Sequence, residues 1–311
     1  MLSNKIKTSI IKFLLPFFYK FFFIFKANSR VINFLTDKRI RENDYYSLEK
    51  DIEDLLQNKK MIAADVGSQG GFNSDNFFSN KYVKFFKPIL FDPIKDNKLQ
   101  ENVTFINKGL WSSKKNKTLY ILNKRPGSSS MYKPNIDSIK IYGFKNKDIN
   151  LFDVTSTEII ECDTIENSLN NCKIENIDYL KIDTQGAELE ILKGLGKFQP
   201  LLIKCEVQIY PMYIDAPKWT DLLSYLTKLN YIISDWKQIG SSNTRTPVEM
   251  DMIFLPNFNN DDGKKLILNN QEKFISLMLM SGQIEFLKRI SELLNLKYQD
   301  FYMQLTDRYF S

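Results

Sequence analysis

The chain has 311 residues, 43% of them apolar and 26% charged, which is the composition of a folded globular protein and excludes general disorder. It contains no histidine, so catalysis by a histidine base and metal sites built on imidazole are excluded. The three cysteines, Cys162, Cys172 and Cys205, lack the close spacing of a zinc ribbon or a disulfide framework. We expect them to be reduced thiols, as in a cytosolic protein.

The net charge of +6 lies entirely at the N-terminal end of the sequence. Residues 1–30 contain six basic residues and no acid, whereas the rest of the chain carries 37 basic and 37 acidic residues. A nucleic-acid-binding protein needs a basic stripe on its folded domain, and the neutral charge balance of the chain after residue 30 does not indicate one. We therefore expect no nucleic-acid partner.

Residues 5–30 have the pattern of a cationic amphipathic helix. At about 100° per residue, most of the basic side chains share one arc of about 120°, and phenylalanines fill much of the remainder. Lys12, Pro16 and Lys20 interrupt the apolar run, and each lysine inside a membrane would cost about 2.5–3.5 kcal/mol. We predict that residues 1–30 lie on an anionic membrane surface at the cytoplasmic face. A membrane-spanning helix and a helix packed in the fold or in an oligomer contact are the alternatives.

The rest of the chain divides into a helical lead-in over 31–60, a sheet domain over 61–258 and a helical extension over 259–311. In the sheet domain, short apolar runs alternate with helix-length segments, which predicts an α/β fold with a doubly wound, mostly parallel sheet. Residues 123–157 break this rhythm with proline, glycine and serine, and predict a long loop or lid. The predicted strands are 61–66, 88–91, 103–106, 118–122, 158–162, 179–182, 201–207, 231–234 and 250–255. The predicted helices outside the sheet domain include 44–58, 264–281 and 283–298.

The first predicted strand ends in an acid that a glycine-rich turn follows. An acid at this end of a strand, with a turn leading into a helix, is typical of a ligand-binding geometry. The spacing is not that of the dinucleotide fingerprint, and it favours a cofactor with an amino-acid end; a tight structural turn is the alternative. The predicted cofactor-binding residues of this segment are Asp65, Gly67, Ser68, Gln69 and Gly71.

Asp92 follows the second predicted strand and precedes Pro93. It lies 25 residues after Gly67, near the place where a doubly wound fold puts the acid that binds ribose hydroxyls. A solvated aspartate in a turn is the alternative. In combination with the glycine-rich turn, the spacing predicts a ribose-binding role for Asp92.

Residues 177–194 predict a strand, a turn and a helix in succession. Lys181 and Asp183 alternate onto one face of that strand, and Asp183 lies at the carboxyl end, where open α/β sheets bind ligands. With histidine absent, we predict Asp183 as the catalytic base or acceptor-positioning group, with Lys181 holding it ionised. Glu206, at the end of the next strand, and Glu188, in the first turn of the helix, are the next candidates. Glu188 could equally serve only to offset the helix dipole, and we predict no metal ion.

In this order, the segments 65–71, 92–93, 107–112, 163, 177–194 and 203–207 resemble the FkbM family of methyltransferases. The family pattern runs from Asp-Val-Gly-Ala-Asn-x-Gly through an acid-Pro pair and Asn-x-Ala-Leu-Ser to Lys-Ile-Asp-x-Glu-Gly-x-Glu. The resemblance implies a class I, Rossmann-like methyltransferase domain over 61–258 with S-adenosylmethionine as its cofactor. It also implies O-methylation of sugars or other small hydroxyl compounds, and it adds Asn107, Gly109 and Leu110 to the predicted cofactor site.

Three positions depart from the family pattern. Gln69 stands where the family often has Asn, Gln185 where it often has Glu, and Gly109 where it usually has Ala.

The membrane-surface prediction suggests an acceptor that is itself lipid-linked, such as a nascent surface glycan. The alternatives are an enzyme that binds NAD or a nucleotide sugar on a similar sheet, and an inactive, membrane-associated methyltransferase-like binding protein.

Overall fold

The computed structural model describes residues 48–94, 103–141, 146–239 and 247–296. They form two compact units. The larger unit contains both β-sheets and spans residues 59–75 and 84–267, and the smaller unit contains the described parts of 1–58, 76–83 and 268–311. The predicted membrane-surface helix lies outside the described residues. No helix among the described residues is long and apolar enough to cross a membrane.

The larger unit is organised around a seven-stranded sheet. The strands of the chain, in sequence order, are β1 Met61–Val66, β2 Phe86–Phe91, β3 Thr104–Ile106, β4 Gly109–Leu110, β5 Lys115–Ile121, β6 Ser156–Asp163, β7 Tyr179–Ile182, β8 Leu202–Gln208, β9 Tyr231–Ile239 and β10 Glu249–Pro256. The main sheet has the order β3-β2-β1-β7-β8-β10-β9. Its first five strands are parallel, and β10 is antiparallel to both β8 and β9. The prediction of a mostly parallel α/β sheet is confirmed.

The predicted strands 118–122 and 158–162 do not belong to this sheet. They correspond to β5 and β6, which pair antiparallel and form a separate three-stranded sheet of order β4-β6-β5. Most residues of β5 and β6 are exposed or half-buried, whereas strands in the interior of a parallel sheet are buried on both faces. Their more polar composition therefore agrees with this second sheet.

Eight α-helices accompany the strands in the described residues. They are α1 Glu49–Leu56, α2 Ile136–Ile141, α3 Ile165–Asn171, α4 Glu188–Lys193, α5 Trp219–Lys228, α6 Asp261–Asn269, α7 Gln271–Met280 and α8 Ile284–Leu294. Three 3₁₀ helices span Asn80–Phe85, Pro126–Ser128 and Asn146–Phe152. The predicted helix over 264–281 is interrupted at Asn270, whose backbone is not helical.

The expectation that the glycine-rich turn after β1 leads into a helix is wrong. Residues 67–79 form turns and bends, and the first helical segment after them is the 3₁₀ helix that begins at Asn80. Asn73 and Asn76 have φ angles of 61° and 53°, in the left-handed region that an α-helix cannot contain. These two residues therefore prevent helix formation directly after the turn.

An apolar core of the larger unit packs against one face of the central strands. Ala64 and Val66 of β1, Leu180 and Ile182 of β7 and Ile203 of β8 are buried. Each fully buried side chain of this size contributes about 1.5–3 kcal/mol. This apolar packing fixes the carboxyl ends of β1, β2 and β7 next to one another.

The smaller unit has its own apolar packing. Ile52, Leu55 and Leu56 are the buried side chains of α1, and this helix contacts α7. Every residue of α7 from Phe274 to Met280 is buried. A helix that is buried around its whole circumference belongs to the interior of a domain.

Candidate active site

Gly67 brings the end of β1 against the end of β7. Its N–H donates to the carbonyl of Phe91 at 3.0 Å, and the N–H of Asp183 donates to the carbonyl of Val66 at 3.0 Å. The φ angle of Gly67 is +76°, and a Cβ atom at this position would lie 1.8 Å from the carbonyl oxygen of Asp183. Only glycine therefore allows the two strand ends to approach so closely.

A crevice opens at this edge of the sheet. It contains about 670 Å³ of space, counting the part open to solvent. Its walls come from the turns after β1 and β7, the end of β2, the strand β4 and residues 126–131. The predicted site residues that line it are Gly67, Gln69, Asp92, Gly109, Leu110 and Asp183.

Asp92 lies on the crevice wall in a turn that three hydrogen bonds fix. Its Oδ1 accepts from the N–H of Ile94 at 2.8 Å, and the Asn107 side chain donates to the carbonyls of Asp92 at 3.1 Å and Pro93 at 2.8 Å. Asn107 is not among the residues that line the crevice. It supports the wall by holding the turn that carries Asp92.

Gly109 is required by packing behind the crevice. A Cβ atom there would lie 2.7 Å from Cε of Met131 and 2.8 Å from Sγ of Cys162. These distances are shorter than any ordinary carbon contact, so an alanine would require the Met131 and Cys162 side chains to shift. Glycine at this position therefore agrees with the close packing of these side chains.

Ser68, Gly71 and Asp65 lie outside the crevice lining. The Ser68 hydroxyl lies 3.4 Å from the carbonyl of Phe91, and the N–H of Gly71 donates to the carbonyl of Ser68 at 2.9 Å. Both residues thus shape the turn. Asp65 is fully buried, and its role in cofactor binding stays a prediction.

Asp65, Lys181 and Asp183 form a line of charges that leads to the crevice. The Lys181 ammonium lies 3.3 Å from Oδ1 of Asp65 and 3.6 Å from Oδ2 of Asp183, as expected for strand residues that share a face. Burial raises the pKa of Asp65, and the Lys181 ammonium partly offsets this shift. Burial would lower the pKa of Lys181, but the two carboxylates raise it above its ordinary value. Lys181 is therefore a stable cation beside the Asp183 carboxylate.

Gln185 is a site residue that the sequence interpretation did not assign. Its side-chain nitrogen lies 3.1 Å from Oδ1 of Asp183 and 2.8 Å from Oε1 of Glu206, and its side-chain oxygen lies 3.0 Å from the Tyr213 hydroxyl. Burial, reinforced by Asp183 and by acids on β10, raises the pKa of Glu206 well above its ordinary value. Glu206 thus reaches the same edge as Asp183, as predicted, and the two contact each other through Gln185.

Glu188 holds the turn between β7 and α4. Its carboxylate accepts from the backbone N–H of Thr184 at 2.9 Å, from the Thr184 hydroxyl at 3.1 Å and from the N–H of Gly186 at 3.0 Å. Burial raises its pKa to about 7. It is absent from the crevice lining, so these contacts favour the structural role over the catalytic one.

Part of the predicted loop or lid lines the crevice. Gly127, Ser129, Ser130 and Met131 contribute to its wall, and the Ser130 hydroxyl donates to the carbonyl of Gln185 at 2.7 Å. The prediction of a loop over 123–157 is wrong in part, because the segment also contains the helix α2 and two 3₁₀ helices and ends in the first residues of β6. The contact of Ser130 with the β7 turn spans 55 residues of sequence and had no local signal.

This sheet order, with a crevice at the carboxyl ends of β1, β2 and β7, defines a Rossmann-like methyltransferase fold. The family model described as the methyltransferase FkbM domain matches residues 51–233, and the chain belongs to this family. The resemblance seen in the sequence is therefore confirmed. A search of curated proteins returned no significant match. Family membership makes the protein a methyltransferase and implies that it uses a methyl donor.

Proposed function

We propose that the protein transfers a methyl group from S-adenosylmethionine to a hydroxyl oxygen of a sugar, in a surface glycan or a related small molecule. The observation that supports this proposal best is the Asp183 carboxylate. It lines the crevice, and it contacts the Lys181 ammonium at 3.6 Å and the Gln185 amide at 3.1 Å.

The residues of the crevice fit S-adenosylmethionine. Asp92 offers a carboxylate for the ribose hydroxyls, and a carboxylate can accept several hydrogen bonds at once. Ile94, Leu110 and Met131 add apolar wall area suited to an adenine ring. When bound, S-adenosylmethionine supplies an electrophilic methyl group on a positively charged sulfur. Asp183 adds negative charge to the same crevice, which complements a cationic donor.

The remaining chemistry is the removal of a proton from the acceptor hydroxyl. Asp183 accepts this proton on one of its carboxylate oxygens as the O–H bond of the acceptor breaks. Lys181 stabilises the negative charge on Asp183 before the proton arrives, and Gln185 fixes the direction of the carboxylate. The crevice aligns the reactants, which supplies a large part of the rate enhancement in a bimolecular reaction.

Calorimetry with S-adenosylmethionine, S-adenosylhomocysteine and NAD tests the proposal at the level of the cofactor. We expect both sulfur compounds to bind and NAD not to bind. Binding of NAD alone would identify a nucleotide-dependent enzyme, and binding of none of the three would indicate an inactive binding protein. Either result would overturn the proposal.

The variant Asp183→Asn tests the chemistry. It keeps the size of the side chain and removes its charge, so kcat should fall about 10²–10⁴-fold if Asp183 is the base. The rate is measured as release of S-adenosylhomocysteine on any acceptor found by screening free sugars and extracted glycolipids. Binding of S-adenosylhomocysteine should change little. Asp137→Asn, at an exposed position, is the matched control, and full turnover by Asp183→Asn would move the role to Glu206 or Glu188.

We also propose that residues 1–30 attach the protein to the cytoplasmic face of an anionic membrane, close to lipid-linked acceptors. The support is the sequence alone, where six basic residues accompany a phenylalanine-rich face. Each basic residue near such a surface contributes about 1 kcal/mol, which salt screens, and the aromatic face adds burial that salt does not remove. Flotation with liposomes of graded anionic lipid content, comparing the full chain with a chain lacking residues 1–30, should show binding of the full chain only. Equal flotation of the two would contradict the proposal.

A further inference from the structure

Two carboxyl groups of the larger unit share one amide between them. The side-chain nitrogen of Gln185 carries two N–H groups, and it lies within hydrogen-bond distance of Asp183 at 3.1 Å and of Glu206 at 2.8 Å. One oxygen of each carboxyl group thus has its own N–H donor. The arrangement uses the full donor capacity of the amide.

The other end of the amide is fixed as well. The Tyr213 hydroxyl lies 3.0 Å from the side-chain oxygen of Gln185 and 2.8 Å from the carbonyl of Ser128, and both Gln185 and Tyr213 are buried. The Tyr213 hydroxyl has a single hydrogen, which it shares between these two acceptors. The orientation of the amide follows from its other end, because ionised carboxylates only accept hydrogen bonds and therefore require the nitrogen there. Gln185 also has a φ angle of 58°, a conformation that residues other than glycine rarely adopt. Such strain persists where the surroundings hold the residue in place.

We propose that Gln185 is the positioning residue of the active site: a neutral bridge that directs the Asp183 carboxylate into the crevice and separates it electrostatically from Glu206. This inference rests on the proposed function for the role of Asp183. Two carboxyl groups in contact ordinarily require a shared proton or a cation between them. Here the N–H groups of an amide lie between the two carboxyl groups.

The charges around Gln185 explain why a neutral donor suits this position. The titratable and charged groups that surround the bridge are Asp183, Glu188, Lys181, Glu206, Glu249, Asp251, Lys204, Arg125 and Tyr213. Acids outnumber bases among them, and burial together with neighbouring acids raises the pKa of Glu206, Glu249 and Asp251. A further carboxylate at position 185 would add to this excess and would leave Asp183 without its N–H donor.

The variant Gln185→Glu tests the bridge without any acceptor. Because the new carboxylate meets other acids, its pKa in the folded protein should be raised, so the variant should be destabilised at high pH and recover as the pH falls. We expect its Tm at pH 8 to lie about 5 °C or more below that of the natural protein. This gap should close at pH 5.5, where protons neutralise the added carboxylate, or on addition of MnCl₂, because a divalent cation offsets the repulsion between carboxylates. Gln57→Glu, at an exposed helix end, is the matched control for added charge and should show no such gap. A Gln185→Glu protein that is as stable as the natural one at pH 8 would overturn the inference.

The variants Gln185→Leu and Tyr213→Phe test positioning. Loss of the bridge should lower kcat about 10–100-fold while the KM for S-adenosylmethionine changes less than threefold, because Asp92 and the turn after β1, which we assign to the donor, are not altered. Tyr213→Phe keeps the amide and should give a smaller loss of the same kind, which also serves if Gln185→Leu does not fold. Unchanged kcat in both variants would overturn the positioning role.

The two proposals fail in different ways. If the natural protein does not bind S-adenosylhomocysteine, the proposed function fails, and the stability measurements still decide whether the bridge exists. If it binds and Gln185→Glu shows no dependence on pH or MnCl₂, only the bridge fails.

Discussion

The variant Gly67→Ala should damage both the fold and the crevice, by an amount that the geometry predicts. The φ angle of +76° costs a residue with a Cβ atom about 1–2 kcal/mol. In addition, the new Cβ would lie 1.8 Å from the carbonyl oxygen of Asp183, so the strand ends must separate. This movement weakens the hydrogen bonds from Gly67 to Phe91 and from Asp183 to Val66, each worth about 0.5–1.5 kcal/mol. The free energy of unfolding should therefore fall by about 2–5 kcal/mol.

Gly70→Ala is the matched control. Gly70 has a similar φ angle of +89°, but the nearest atom to its Cβ would be the side-chain Cβ of Ser74 at 3.3 Å. This variant should therefore lose only the conformational contribution of about 1–2 kcal/mol. Urea unfolding followed by circular dichroism measures both, and calorimetry with S-adenosylhomocysteine should show weaker binding for Gly67→Ala. Equal loss of stability in the two variants would refute the argument that Gly67 is required by the approach of β1 to β7.

Two further predictions concern single carboxylates. Asp92→Ala should weaken binding of S-adenosylmethionine by about 1.5–3 kcal/mol in calorimetry, the value of a hydrogen bond to a charged group, with an unchanged melting curve; unchanged affinity would contradict the ribose-binding assignment. Burial raises the pKa of Glu188 to about 7 from an ordinary value of 4.5. At a pH between these two values, the folded protein therefore keeps a proton on Glu188 that the unfolded chain has released. The natural protein should therefore lose up to about 3 kcal/mol relative to Glu188→Gln as the pH rises from 5 to 8. A difference in free energy of unfolding that stays constant over this range would rule out the shift.

The central strands could be predicted from the sequence because their signal is local. Strand β7, Tyr179–Ile182, has the predicted bounds, and its polar residue Lys181 lies on the same side as Asp183, as the period of two requires. The two-residue strand β4 was not predicted because two residues carry no periodic signal. The assignment of β5 to the second sheet depends on its pairing with β6, which begins 35 residues after β5 ends. Pairing over such a distance is decided by tertiary packing.

Only the part of the candidate site that has a local sequence signal was predicted. The sequence indicated which acids end the strands, and Asp92 and Asp183 indeed line the crevice. It did not indicate that Gln185 would turn toward Asp183, because this depends on a left-handed backbone that glutamine seldom adopts. Contacts with Tyr213, 28 residues along the chain, hold it there. A residue whose conformation opposes its own preference can be assigned only when its neighbours are known.

The row of charges formed by Asp65, Lys181 and Asp183 favours a functional role for this edge of the sheet. Buried ion pairs add little to stability, since desolvation of the two charges offsets their attraction, and apolar side chains of similar size often do as well or better. The neighbouring positions of β1 and β7 are apolar and buried, so the fold could accept such residues. Asp65 and Lys181 are 1% and 4% exposed, whereas Asp183 is 27% exposed and lines the crevice. Under the proposed function, the cost of two buried charges would be explained by their contact with the third, since Lys181 aligns the Asp183 carboxylate where a ligand can reach it.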